Sequence, residues 1–233
     1  MVKYIKNGGS FLCLFLIIIS CEKEKSKGYE NVSSTEYFSI STKLSNLKNL
    51  KKLKINDSLY EVRGYFNSFE ITGQVKKNNI RTGWWEAKNQ KTKTLMARLE
   101  YRLIDNKEFV NQYILFEHGK IDTLKSKFYS FEKNINSVKY KFYTPSQSKE
   151  IRSEGKLYYG YSSNSKKIKH LEYKCIKNRN SFDCEFPIPL NSSINDLIIR
   201  GNFWQMFQLE NGDIGENDIY ILDTLNMKAI NQR

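Results

Sequence analysis

From Leu95 to Leu103 the odd-numbered residues Leu95, Ala97, Leu99, Tyr101 and Leu103 are apolar, while Arg98, Glu100 and Arg102 fall between them. A period of two cannot build the stripe of a 3.6-residue helix; it sorts side chains onto the two faces of a half-buried strand. Val138, Tyr140 and Phe142 alternate with Lys139 and Lys141 in the same way. This pattern predicts strands near residues 58–66, 68–76, 83–88, 94–104, 108–117 and 121–131. Lys77-Asn78-Asn79, Asp105-Asn106-Lys107 and His118-Gly119-Lys120 separate several of them with residues suited to tight turns. Strands joined by such short connections read as an antiparallel meander over residues 35–133.

Beyond it, residues 134–233 carry further strand patterns at 138–143, 156–162, 168–176, 182–188, 196–208 and 218–224, the density of a small β-sandwich. If Asn178 to Ser181 is a hairpin loop, Cys175 falls opposite Cys184, Tyr173 opposite Phe186 and Leu171 opposite Ile188, all on one face. In an exported chain that register predicts a disulfide. Pro187 and Pro189 suit a strand that runs into a sheet edge. The fold class expected is therefore all-β, with one short N-terminal helix over Lys43 to Lys54, where Leu44, Leu47, Leu50 and Leu53 lie three apart. A Lys-rich amphipathic segment of this kind either caps a sheet or lies on anionic membrane.

In the first half, "GQVKKNNIRTGWWEAKN" followed by "LMARLEYRLIDNKEFVNQYILFEHGKIDTLKSKFY" resembles the MORN-like repeats of the antitoxin-type family. Gly83-Trp84-Trp85 matches the Gly-Trp step that opens a strand, and Tyr113 with Gly119-Lys120 begins the next unit. The resemblance covers about a quarter of the chain and implies an interaction or structural module, not a catalytic one. On a strand, Trp84 and Trp85 point to opposite faces, so one can enter the core while the other faces out. With Trp204 they are the candidate contact residues, since aromatic side chains dominate binding energies; the alternative is that neighbouring structure covers both.

At the N-terminus Lys3 and Lys6 precede an unbroken apolar run from Phe11 to Ile19. The layout matches an export leader, and the run is shorter than the roughly 20 apolar residues a bilayer span needs. Ile18-Ile19-Ser20-Cys21 resembles the bacterial lipobox, which implies a signal peptide over residues 1–20, cleavage before Cys21 and acylation of that cysteine. Several acyl chains on one residue anchor stably, each buried methylene contributing about 0.8 kcal/mol. The other reading leaves Cys21 a free thiol behind a short anchor. Glu22 to Gly28 contain no residue that could enter a core, and residues 21–34 are expected to be a disordered tether. Glu22 is not the Asp that resembles an inner-membrane retention signal, so the expected address is the outer membrane, its periplasmic or surface side left open.

The whole chain carries a formal charge of +13, and loss of Lys3 and Lys6 with the leader leaves 36 basic against 25 acidic side chains. Such a balance favours polyanions, among them acidic polysaccharide, unless the lysines are scattered solubilising charges. No RNP-like aromatic pattern, zinc finger or helix-turn-helix spacing accompanies it, so nucleic acid is not an expected partner. Catalytic signals are sparse as well. His118 sits in a turn and His170 on the polar side of a strand, which leaves little for a Ser-His-Asp or Cys-His site. Neither histidine has ligand-like spacing, and there is no phosphate loop or dinucleotide fingerprint, so no metal or cofactor is expected. Asp57-Ser58-Leu59, Asp122-Thr123-Leu124 and Asp223-Thr224-Leu225 resemble an O-glycosylation sequon of bacterial envelope proteins, making Ser58, Thr123 and Thr224 candidate glycan sites. Asp-Ser/Thr pairs are also ordinary turn residues. Three function classes follow: a non-enzymatic binding or scaffold module of the envelope, an immunity-type lipoprotein that binds a protein toxin, and an envelope glycan hydrolase. The first fits these features best.

Overall fold

The structure, a computed structural model, describes residues 40–226 except 135, 164–165 and 189–195; of residues 163 and 166–169 it describes the backbone alone. The leader, Cys21 and the tether lie outside the described residues. Both sheets belong to one compact unit.

The first sheet comprises β1 (Lys48–Lys54), β2 (Leu59–Phe66), β3 (Phe69–Lys76), β4 (Arg81–Asn89), β5 (Leu95–Ile104), β6 (Lys107–Glu117) and β7 (Lys120–Ile121). Each strand pairs with its neighbour in sequence, the meander read from the alternation. Asp105 with Asn106, and His118 with Gly119, have positive φ at both turn positions, the backbone that matches the twist of flanking strands in a two-residue hairpin. Val62, Ile71, Val75, Trp85, Ala87, Ala97, Leu99 and Tyr101 form the buried face, covered by Ile40 and Leu47.

The helix expected over Lys43 to Lys54 is not formed. Leu44–Asn46 make a single 3-10 turn, and β1 follows from Lys48. Leucines three apart suit a 3-10 turn: Leu47 is buried in the core, Leu44 and Leu50 pack partly against it, and Leu53 is exposed. The lysines of β1 have a different cause. This strand is a sheet edge, where charge keeps unpaired backbone from recruiting another chain. The strand expected over 121–131 is interrupted too. After β7 the Asp122 carboxylate accepts N–H bonds from Leu124 and Lys125 and turns the chain before the next strand.

The second sheet contains β8 (Phe128–Lys133), β9 (Ser137–Tyr143), β10 (Glu150–Ser163), β11 (Lys166–Asn178), β12 (Ser181–Pro187), β13 (Asp196–Leu209) and β14 (Ile214–Asn226). Its spatial order is β14-β13-β10-β11-β12-β9-β8. Three strands separate β9 from β13, yet Phe142 and Phe203 stack at 4.2 Å. Tyr129 of β8 and Tyr140 of β9 donate hydroxyl bonds to Asp223 of β14, at the opposite edge, over 3.2 and 2.9 Å. In place of the two-sheet sandwich expected of residues 134–233, one sheet rolls almost into a barrel, and its first strand begins at Phe128. The hairpin register expected around the cysteines is present: Asn178 pairs with Ser181, Ile176 with Asp183, and Cys175 is bonded to Cys184.

Strand β6 joins the two sheets. The Asn111 side chain accepts the Tyr220 N–H at 2.7 Å and donates to the Tyr220 carbonyl at 2.9 Å, as a strand neighbour of β14 would. On the opposite side Gln112 accepts the Tyr129 N–H at 3.0 Å, and Tyr113 exchanges two backbone bonds with Lys127. Both free edges of the rolled sheet are therefore partly satisfied by one strand of the meander.

Candidate functional site

The three tryptophans take different places. Trp85 is fully buried, its indole N–H donating to the Gln74 carbonyl, so it is a core residue and not a contact residue. Its ring fills the space a side chain at position 73 would need, which is why Gly73 faces it. Trp84, on the other face of β4, is half-buried with the Arg98 guanidinium 4.8 Å over its ring. Trp204 points outward from β13 and donates its indole N–H to Glu216 at 3.0 Å.

Trp204 belongs to a broad outer face made by β11, β10, β13 and β14. Cross-strand pairing lays its residues out in rows. One row runs Lys174, Lys156, Trp204, Asp218; the next Glu172, Tyr158, Asn202, Tyr220; the third His170, Gly160, Arg200, Leu222. The lysines beside Trp204 are thus Lys156 and Lys174. Above the second and third rows, Arg102 and Ile104 of β5 raise a wall, and between wall and sheet lies an open groove of about 910 Å³. That is near the upper end of the roughly 300–1,000 Å³ typical of ligand sites.

The groove is apolar in the middle and basic at the sides. Tyr158 is 42% exposed and Leu222 52% exposed, and the ring of Tyr220 is steadied by an edge-on contact with Phe109 of β6. Glu172, the one carboxylate among the described lining residues, is engaged by Lys156 Nζ at 2.8 Å. Arg102 is bound to Glu100 at 2.8 Å. Arg200 is exposed and makes no ion pair or hydrogen bond with any described residue. Asn202 donates to Asp218, and its Oδ1 is buried without a partner.

Two acidic groups near this face are perturbed. Burial raises the Asp218 carboxyl above its ordinary range, opposed by the Asn202 hydrogen bond. Burial likewise raises Asp223 inside the barrel, opposed by its bonds from Tyr140 and Tyr129. Glu216 and Asp218 share the outer face of β14 two residues apart. At the junction with β6, Lys127 is 6% exposed; its ammonium donates to the carbonyls of Val110 and Asp218 at 3.2 Å. Burial pushes it down to about 8.

The sequon-like residues are dispersed. Ser58 lies in the exposed β1–β2 turn, bonded to Asn56; Thr123 is half-buried in the loop after β7; Thr224 is exposed on β14. His118 occupies its expected turn. The groove itself was not foreseen. Its one trace in the sequence is the aromatic run Tyr158-Tyr159-Gly160-Tyr161, which alternation alone assigns to an ordinary strand.

Comparison with protein-family models and with curated proteins finds no match to this chain.

Proposed function

We propose that this protein is a non-enzymatic binding module held at the outer membrane by acyl chains on Cys21, and that the outer face of β10, β11, β13 and β14 is its contact surface. The observation that carries the reading is the open groove in which exposed Tyr158 and Leu222 lie beside Arg200, which has no ion-pair partner among the described residues. Large apolar side chains left at a concave surface, with few polar groups set among them, are the usual make-up of a recognition site. The leader pattern and lipobox resemblance support the address.

A test uses the native protein extracted in mild detergent. Wild type and Trp84→Ala are expected to migrate with an envelope component as a large complex, and Tyr158→Ala/Leu222→Ser as the free chain. Cys21→Ala is expected in the soluble fraction after cell breakage. Wild type migrating alone, or the double variant migrating with the complex, contradicts the contact surface.

A second reading, an envelope glycan hydrolase, is favoured by one observation: Glu216 and the raised Asp218 carboxyl lie on the same face, within reach of Trp204. Release of reducing ends from envelope glycan that is lost in Asp218→Asn would establish it in place of the first.

A further inference from the structure

The third row of the outer face contains a notch. Gly160 stands between His170 on β11 and Arg200 on β13, its ladder partners on either side. Without a side chain at position 160, bare backbone is left between two cationic or hydrogen-bonding side chains about two strand spacings, roughly 10 Å, apart. Tyr158, two residues along the same strand and on the same face, presents its ring beside the notch.

Charge in the groove is one-sided. Glu172 is held by Lys156 and Arg102 by Glu100, which leaves Arg200 as the guanidinium with no carboxylate among the described residues. A planar guanidinium offers paired N–H donors that match a carboxylate, and its desolvation penalty is low compared with that of an ammonium. An exposed tyrosine ring is a flat apolar platform with a polar tip, suited to the apolar face of a sugar ring. The groove is open to solvent, so a ligand larger than one sugar ring can lie across it.

We infer that the groove binds an acidic glycan chain, with a sugar carboxylate on Arg200 and His170 across the Gly160 notch and a ring stacked on Tyr158. The inference rests on the reading of this face as the contact surface and adds the class of ligand.

Calorimetric titration of the full-length native protein in detergent tests it, with hexagalacturonate as the acidic probe and its methyl ester as the neutral one. The acidic hexamer is expected to bind saturably, at least tenfold tighter than the ester, and more weakly as salt is raised. Arg200→Gln and Tyr158→Ala should each lose at least tenfold in affinity, while Trp84→Ala, on the other sheet, keeps it. Arg200 is an exposed strand residue, and an unchanged melting temperature of Arg200→Gln will show that the fold is intact. Equal binding of acid and ester, or full affinity in Arg200→Gln, overturns the inference. If the hexamer gives no heat but the protein still migrates with its envelope component, the inference falls and the contact surface stands. If neither is seen, both fall.

Discussion

Lys127 is an ammonium buried among carbonyls and the rings of Phe109 and Tyr113, and it makes stability depend on pH in a defined direction. The unfolded chain holds this proton to about pH 10.5, the folded chain only to about 8. Between those values the unfolded state binds more protons, so the free energy of unfolding rises with pH, by on the order of 3 kcal/mol in all. Burial holds Tyr129 and Tyr140 above the ordinary tyrosine range. Their hydroxyls therefore ionise first in the unfolded chain, and the trend reverses above about pH 10. Denaturant titrations between about pH 7.5 and 9.5 should show stability increasing in wild type and flat in Lys127→Met; equal slopes would assign the effect elsewhere. A second expectation concerns Gly73. A Cβ there overlaps the Trp85 indole, so Gly73→Ala should lower stability by about 1–3 kcal/mol, read from the denaturation midpoint. This pair also shows what alternation withholds. It places Trp84 and Trp85 on opposite faces but treats the faces alike; the choice is made by a glycine on the neighbouring strand, visible only once the register is known.

Among the elements, the Cys175–Cys184 hairpin was the most legible, because a short loop with two cysteines in matching register leaves one pairing. Removing the bond in Cys175→Ser/Cys184→Ser should cost somewhat under about 3 kcal/mol, since the loop it closes is short. Thermal unfolding of the double variant against the oxidised protein measures it. Strand β1 was the least legible. Its leucine spacing of three and its lysines imitate an amphipathic helix, but Leu44 opens a 3-10 turn that ends at Leu47, while Leu50 and Leu53 lie on the strand itself and the lysines guard an edge. Replacing Lys51, Lys52 and Lys54 together by Val should produce concentration-dependent association by analytical ultracentrifugation. A variant that stays monomeric would remove the edge-guarding role.

At the scale of the molecule, the rolling of the second sheet and its closure by β6 had no local signature. They depend on side chains far apart in sequence, such as Asn111 with Tyr220 and Tyr129 with Asp223. Period-two patterning sets which face is buried but not whether a sheet stays open, pairs with another or curls on itself. The groove is a product of that closure, since its wall comes from β5 and its floor from the barrel, and so it too lay beyond strand-by-strand reading. Asn111→Ala removes the bonds to Tyr220 and one of the donors to Glu100. Leaving these buried groups unpaired should cost about 3 kcal/mol. It should also split a single calorimetric transition into two, one for each sheet. The outer face of the barrel is the proposed contact surface, and photo-crosslinking in intact native cells reads that contact without purification. A benzophenone side chain placed at Leu222 should capture an envelope component, whereas the same group at Leu53, exposed on β1, should capture none. Adducts at Leu53 with none at Leu222 would place the contact elsewhere than on the barrel's outer face.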